Sequence, residues 1–224
     1  MRVSILLWLL MITALVPAHA EAIVEDGVID LRDKPLTEAG IVELRGNWAF
    51  YWQAFLEPTD FNQHERLWIQ TPATWERQEH VRVSNHGYGT YHVSVLLAEE
   101  DVGQTLGLHI PGIASAYDIY INGEKLLSNG QVGTSQAEMK ASAVPQTVYY
   151  TAHHNKLDLT MHVSNFVQRK GGIWAKIELG TAQPILQNHD QRIAFEAAIA
   201  LGLFIMGIFH IALYFFLSAK TTLY

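Results

Sequence analysis

Residues 117–130 read YDIYINGEKLLSNG, and this stretch decides the fold class of the 224-residue chain. Tyr117, Ile119 and Ile121 fall on every second position, which is the pattern of a half-buried β-strand. Asn122-Gly123 follows directly, and a two-residue type I′ turn needs positive φ at both of its central positions, which Asn and Gly tolerate best. The stretch therefore predicts a β-hairpin that joins 117–121 to a second strand at 124–127.

The same period of two recurs in other short segments of the chain. Apolar residues alternate along 91–97 (YHVSVLL), 106–110 (LGLHI) and 157–163 (LDLTMHV), and Gly or Pro residues lie between the segments. Many short strands separated by turn residues are typical of a β-sandwich or jelly roll. Helical periodicity is weak in this part of the chain, and a short turn near 53–57 is the best helix candidate.

Composition excludes several classes of protein. With 49% hydrophobic and 17% charged residues the chain is globular rather than disordered. It has no Cys, which excludes disulfide scaffolds, Cys-ligated zinc and thiol catalysis. The net charge of −7 and the lack of a basic run argue against nucleic acid as a partner. Nothing in the sequence implies a cofactor.

Two apolar ends flank the predicted sandwich. Residues 1–20 have a positive start, an apolar stretch and an A-x-A exit, which predicts a signal peptide cut after Ala20; an uncleaved anchor is the alternative. Residues 193–217 predict a transmembrane helix, because the 21 residues from Ala197 to Leu217 include only one ionisable side chain. Residues 21–192, ending in a short linker over 181–192, are then outside the cytoplasm of a bacterial inner membrane, and 218–224 begin a cytoplasmic loop.

Three residues of the predicted membrane helix favour contact with other helices. Ala198 and Gly202 form a small-xxx-small pair, which allows a second helix to approach closely. His210 falls on the same half of the helix, and a membrane-embedded His is costly against lipid. The predicted partners are other transmembrane helices or a second copy of the chain; the alternative is that a single His is simply tolerated there.

Aromatic residues are concentrated between positions 48 and 75. Large aromatic side chains usually fill a core, so Trp48, Phe50 and Trp68 are predicted to be buried. Trp75 follows a proline in a loop, and the sequence leaves open whether it is buried or faces a ligand. Three histidines, His92, His109 and His162, lie on the polar side of their strands, so we expect them at the surface.

Candidate ligand contacts come from two loops. In 164–172, Asn165 offers a donor and an acceptor, and Arg169 and Lys170 offer cationic donors that suit sugar hydroxyls or a carboxylate. In 86–90, Tyr88 lies between two glycines just before a strand. The competing interpretation is structural, with Asn165 capping a turn and the basic pair in solvent. Adjacent His153 and His154 point to opposite faces of a strand, so no metal site is predicted, and the sequence contains no persuasive catalytic constellation.

Longer strings resemble a known bacterial family. They read GNWAFYWQAFLEPTDF (46–61), GYGTYHVSV (87–95), AYDIYINGEKLLSNGQVGTS (116–135), VSNFVQRKGGIWAKIELG (163–180) and ALGLFIMGIFHIALYFFLSAKTTLY (200–224). Together they resemble the type 2 extracellular domain and first membrane helix of 7TMR-DISM proteins, the seven-transmembrane receptors with diverse intracellular signalling modules. The resemblance covers nearly all of residues 40–224. Trp174, within the fourth string, joins the candidate ligand-binding residues, as does Trp75.

The resemblance implies a jelly roll related to galactose-binding-like modules, which senses a small extracellular ligand such as a carbohydrate. Such receptors continue through six more helices into a cytoplasmic kinase, cyclase or phosphatase module, so any catalytic output would lie beyond residue 224. Two other functions remain open at this point. One is a single-span, membrane-anchored module that binds a carbohydrate or a protein without signalling, and the other is an accessory fragment of a glycoside hydrolase.

Overall fold

The computed structural model describes residues 19–24, 26–113 and 115–221. The predicted signal peptide falls mostly on residues 1–18, outside the described residues, and it stays a prediction. The described chain divides into two compact units, one ending at Ile185 and the other beginning at Leu186.

In the described residues of the first unit, the regular structure is mostly β-strand, with a four-residue helix at Leu36–Ala39 and three short 3-10 helices. The prediction of a mainly β sandwich is confirmed. The described residues form eleven strands: β1 His19–Val24, β2 Val28–Asp30, β3 Ile41–Trp52, β4 Leu67–Thr71, β5 Gly87–Leu96, β6 Thr105–Ile110, β7 Ala116–Ile121, β8 Glu124–Asn129, β9 Gln146–Thr151, β10 Lys156–Asn165 and β11 Glu178–Thr181.

The long strand β3 belongs to both layers of the sandwich. The hydrogen-bonded order is β8-β7-β10-β5-β3-β11-β6-β9, with β1 and β4 added on β3 and β2 added on β5. The first half of β3 lies between β1 and β11, whereas its second half lies between β4 and β5. The sheet therefore changes layers along β3, and the apolar core fills the space between the two layers.

The core is formed by the alternating positions that the sequence singled out. Tyr91, Val93 and Val95 of β5 are fully buried, and they join the same cluster as Leu157, Leu159, Met161 and Val163 of β10. Trp48 and Phe50 are also fully buried, so the prediction that they fill the core is confirmed. Each such ring removes a large apolar area from water.

Trp68 is not in the core, and its prediction was wrong. The side chain is 37% exposed because Ile69 and Thr71, its neighbours at odd positions of β4, are the residues that point inward. The strand alternation thus sends the Trp68 ring outward, where the Arg66 guanidinium lies over it, 5.6 Å from the ring centroid.

The predicted hairpin is present. Asn122 and Gly123 have φ values of 50° and 82°, and β7 pairs antiparallel with β8 across them. The short helix expected near 53–57 is displaced along the chain, since a 3-10 helix occupies Pro58–Gln63. Proline at the first position favours a helical start there rather than five residues earlier.

The C-terminal helix spans Ala182–Thr221, directly after β11. Residues 182–192, expected to form a linker, are therefore helical. The helix is long and apolar enough, by length and composition, to cross a membrane within Ala182–Phe215.

Ala198 and Gly202 lie on the exposed surface of this helix, and the His210 Nδ1 donates a hydrogen bond to the Met206 carbonyl oxygen one turn earlier (2.7 Å). That bond satisfies one ring nitrogen within the helix itself. Packing of Ala198, Gly202 and His210 against other helices stays a prediction.

Candidate functional site

Asn165, the last residue of β10, organises the loop that the sequence selected. Its side chain is fully buried and both of its polar atoms are used. The carbonyl Oδ1 accepts hydrogen bonds from the Ser115 hydroxyl (2.5 Å) and the Gln168 N–H (3.0 Å). The amide Nδ2 donates to the carbonyl oxygens of Asn85 (2.7 Å) and Gln168 (2.8 Å). Asn165 therefore holds the backbone of the loop and has no group left for a ligand.

Trp75 is buried beneath the same loop. Its ring is 1% exposed, and its Nε1 donates to the Tyr91 hydroxyl at 2.7 Å. Burial raises the pKa of that hydroxyl, so it is protonated and also accepts from the Ile173 N–H (3.4 Å). The sequence left open whether Trp75 is buried or faces a ligand, and the structure places it in the interior.

Glycine is required where the loop crosses Trp75. A Cβ on Gly171 would lie 2.3 Å from Cε3 of the Trp75 ring and 2.5 Å from the Asn85 carbonyl oxygen. Two backbone hydrogen bonds hold the crossing, from the Trp75 N–H to the Gly171 oxygen (2.9 Å) and from the Ala73 N–H to the Ile173 oxygen (2.8 Å). The close approach therefore fixes residues 171–173 against residues 73–75.

A cavity of about 590 Å³ lies beside this loop, and we call it the basic cavity. It is lined by Thr74, Glu76, Arg77, Asn85, Arg169 and Lys170. Three of these side chains are cationic and one is a carboxylate. The Asn85 amide donates to the Glu76 carboxylate (2.8 Å), whereas within the described residues the three cations form no ion pair. The cavity thus offers cationic donors beside an acceptor.

The sequence identified only part of the basic cavity. Arg169 and Lys170 are exposed and line it, as a ligand-binding role requires. Arg77 and Asn85 were missed, because they lie more than eighty residues earlier and reach the cavity only through the pairing of 73–75 with 171–173. A signal was nevertheless present, since WER at 75–77 repeats the aromatic-plus-basic pattern of the later loop.

The two remaining candidates lie elsewhere. Tyr88 is half-buried, with its ring 4.9 Å from that of Phe55, and it is not among the residues that line the basic cavity. Trp174 is 47% exposed and is not among them either. Neither residue is therefore brought together with Arg169 and Lys170.

Residues 53–64, which we call the strap, cover the outer face of the sheet. Thr90 holds the strap, because its hydroxyl accepts from the Leu56 N–H (3.0 Å) and donates to the Ala54 carbonyl oxygen (2.8 Å). The ring of Phe61 stacks on Tyr51 with the centroids 4.7 Å apart. The outer face is thus partly buried although it points away from the core.

The strap buries histidines that were expected at the surface. His162 is 8% exposed, lies between the rings of Phe55 and Tyr120, and donates from Nε2 to the Leu56 carbonyl oxygen at 3.0 Å. Burial lowers its pKa, so the ring is neutral at pH 7. His92 has a lowered pKa for the same reason.

His109 is also 8% exposed, and it contacts the Thr147 hydroxyl on the neighbouring strand at 2.9 Å. The expectation of surface histidines was therefore wrong for His109 and His162. The polar face of a strand is not exposed to solvent where another segment or neighbouring side chains cover it. In the described part of the chain, no group of three His, Asp or Glu side chains is arranged to hold a metal ion.

No family model and no curated protein matches this chain. Among solved structures, a β-galacturonidase of Eisenbergiella tayi is similar with a TM-score of 0.45 and 17% identity, over 62% of this chain and 24% of the enzyme. A β-glucuronidase from an uncultured Clostridium gives 0.46 and 17%, over 62% and 28%. The β-glucuronidase of Ruminococcus gnavus gives 0.46 and 11%, over 62% and 27%. The chain thus matches about a quarter of the length of such enzymes.

Proposed function

We propose that the β-sandwich is the ligand-binding domain of a bacterial membrane receptor, exposed outside the cytoplasm and held at the inner membrane by the C-terminal helix. The ligand is a carbohydrate or another small polar molecule. The observation that carries this proposal is the basic cavity, in which Arg77, Arg169 and Lys170 surround one open volume without an ion-pair partner among the described residues. As in 7TMR-DISM receptors, any catalytic output would belong to residues beyond 224.

The cavity has the size of a small-molecule site and a polar, charged lining. Its volume of about 590 Å³ lies within the range of roughly 300–1,000 Å³ that is typical of ligand sites. Its backbone is held by Asn165 and Trp75, so little ordering is needed when a ligand binds. A backbone held in place, with exposed cationic side chains, suits a ligand that carries a negative charge.

The charges narrow the class of ligand. Guanidinium groups recognise carboxylates with two parallel hydrogen bonds, and a lysine adds a third donor. The Glu76 carboxylate, which also lines the cavity, would accept hydrogen bonds from hydroxyl groups. A sugar that carries a carboxylate meets both requirements, so acidic monosaccharides are the first ligands to test.

The C-terminal helix supports attachment to a membrane. Its apolar stretch is long enough to span a bilayer core of roughly 30 Å. A binding domain with one such helix is compatible with either a receptor or a passive anchored module. We favour the receptor because of the family resemblance of the strings at 163–180 and 200–224.

Removing two of the cations should abolish most of the binding. We expect Arg169→Ala/Lys170→Ala to weaken binding of D-glucuronate or D-galacturonate about tenfold or more, because a hydrogen bond to a charged group contributes about 1.5–3 kcal/mol. Isothermal titration calorimetry of the whole chain in detergent micelles measures the affinity. Both residues are exposed, so the Tm should hardly change.

The matched control is Lys34→Ala/Lys140→Ala, which removes the same charge at two other exposed positions. It should bind as the parent chain does. Equal weakening in both double variants would reduce the effect to general electrostatics, and no heat with either acid sugar would remove acidic monosaccharides from the ligand class.

The sidedness of the sandwich is tested by proteolysis of cells. In intact spheroplasts that carry the whole chain, externally added protease should digest residues 21–192 while a cytoplasmic marker protein survives. Lysed spheroplasts should lose both. Survival of the sandwich in intact spheroplasts would place it on the cytoplasmic side and contradict the receptor orientation.

A further inference from the structure

A second cavity lies on the outer face of the sheet, between the strap and the β7–β8 hairpin turn. We call it the strap cavity, and its volume is about 490 Å³. The strap, the hairpin turn and the start of β10 form its walls. It is lined by Glu57, Pro58, Thr59, Asn122, Gly123, His154, Lys156 and Asp158.

A small recess adjoins the strap cavity. The recess shares Glu57, Pro58 and Gly123 with the larger cavity. It is also lined by Leu56, Tyr120, Thr160 and His162. Its volume of about 20 Å³ is close to what a single water molecule requires, so one hydroxyl group fits there. The lining is mostly apolar, and Thr160 and the more than nine-tenths buried His162 are among its polar side chains.

The polar groups of the strap cavity are held in place by hydrogen bonds. The Asp158 carboxylate accepts from the Ser94 hydroxyl (2.5 Å) and forms an ion pair with the Lys156 ammonium (2.9 Å). The Asn122 carbonyl Oδ1 accepts from the Asp158 N–H (2.8 Å). These bonds hold the Asp158 carboxylate and the Asn122 side chain in place before a ligand arrives.

The charge balance differs from that of the basic cavity. Two carboxylates, Glu57 and Asp158, line the strap cavity against one ammonium, that of Lys156. An anion would meet a surplus of negative charge here, whereas neutral hydroxyl groups can both donate to the carboxylates and accept from Lys156. The apolar ring of Pro58 and the backbone of Gly123 offer surface for C–H groups.

We infer that the strap cavity is a second binding site, specific for a neutral, hydroxyl-rich ring such as a pyranose unit. One ligand hydroxyl enters the recess beside Thr160 and His162. Others reach Asp158, Lys156 and Asn122 at the opening. The volume holds one or two sugar rings, within the usual range for small-molecule sites.

The strap cavity is separate from the basic cavity. Asp158 lies near the start of β10 and Asn165 at its end. Seven residues of strand at about 3.3 Å each separate them by roughly 23 Å. The two cavities share no lining residue, so each can be tested while the other is intact.

Saturation-transfer difference NMR on the whole chain in deuterated detergent micelles tests this inference, with cellobiose, lactose and maltose as probes. We expect saturation transfer to at least one disaccharide. Thr59→Trp places a large ring at the exposed opening and should reduce the signal to background. His154→Ala, which removes an exposed lining side chain, should also reduce it, whereas the adjacent His153→Ala, outside the lining, should not.

The outcomes separate the two sites. No saturation transfer with any of the three disaccharides, or equal transfer in Thr59→Trp and the parent chain, would overturn the inference. A signal lost in Arg169→Ala/Lys170→Ala but kept in Thr59→Trp would assign the disaccharide to the basic cavity, which overturns the second site and leaves the proposed function standing. A melting curve of each variant shows whether it is still folded, so that loss of saturation transfer can be assigned to loss of binding. If Thr59→Trp unfolds, the result for His154→Ala tests the second site instead.

Discussion

Replacing Trp75 with alanine should destabilise the sandwich more than most single substitutions in this chain. The ring is fully enclosed, with centroids 5.1 Å from Trp52 and 6.2 Å from Phe50, and it donates to the Tyr91 hydroxyl. Truncating a buried Trp to Ala costs about 3–5 kcal/mol of unfolding free energy. In a domain of this size that lowers the Tm by about 6–20 °C, which circular dichroism measures directly.

The matched control for Trp75 is Trp174, the same residue type at a half-exposed position. Trp174→Ala should shift the unfolding free energy by under about 0.5 kcal/mol, as surface substitutions usually do. If both variants melted at the same temperature, Trp75 would not be a core residue, and it would not hold the loop that carries Arg169.

The second large effect is expected for Asn165→Ala. The substitution leaves the carbonyl oxygens of Asn85 and Gln168 without a donor, and the Ser115 hydroxyl and the Gln168 N–H without an acceptor. Each buried group left unpaired costs about 1–3 kcal/mol, so we expect a loss of about 3–6 kcal/mol after partial relaxation. Ligand affinity should fall as well, because the backbone that carries Arg169 is no longer held.

Two further variants identify the cause. Asn155→Ala removes an exposed amide whose side chain donates to Glu99, and should be nearly neutral. Asn165→Asp keeps both acceptor roles but places a carboxylate against two carbonyl oxygens, and should be as damaging as alanine. A stable Asn165→Asp variant would show that only the accepting side of the network matters.

The strands were predictable because their pattern is local. Four alternating segments became β5, β6, β7 and β10, and the strand predicted after the Asn122-Gly123 turn became β8, with boundaries shifted by no more than a few residues. The aromatic-rich strand β3 lacks that signal, since its consecutive residues Ala49, Phe50 and Tyr51 are buried on both faces and do not alternate. The strap covers Tyr51 on the outer face, and no local sequence pattern predicts that contact.

The candidate site was predictable only where one loop supplies it. Arg169 and Lys170 stand together in sequence and stay together in space. Asn165 was predicted to bind a ligand because its amide carries both a donor and an acceptor, but those groups form hydrogen bonds with the protein backbone. Whether a polar side chain faces a ligand or the interior depends on contacts with residues 73–85, and the period of a single strand carries no information about them.

The shared strand β3 limits how this sandwich can respond to a bound molecule. The two layers cannot slide past one another unless the hydrogen bonds on both sides of one continuous strand break together. Shear between layers, a common way for domains to change shape, is therefore blocked. Ligand binding can move the loops around a cavity, whereas the rest of the sandwich moves as one rigid body.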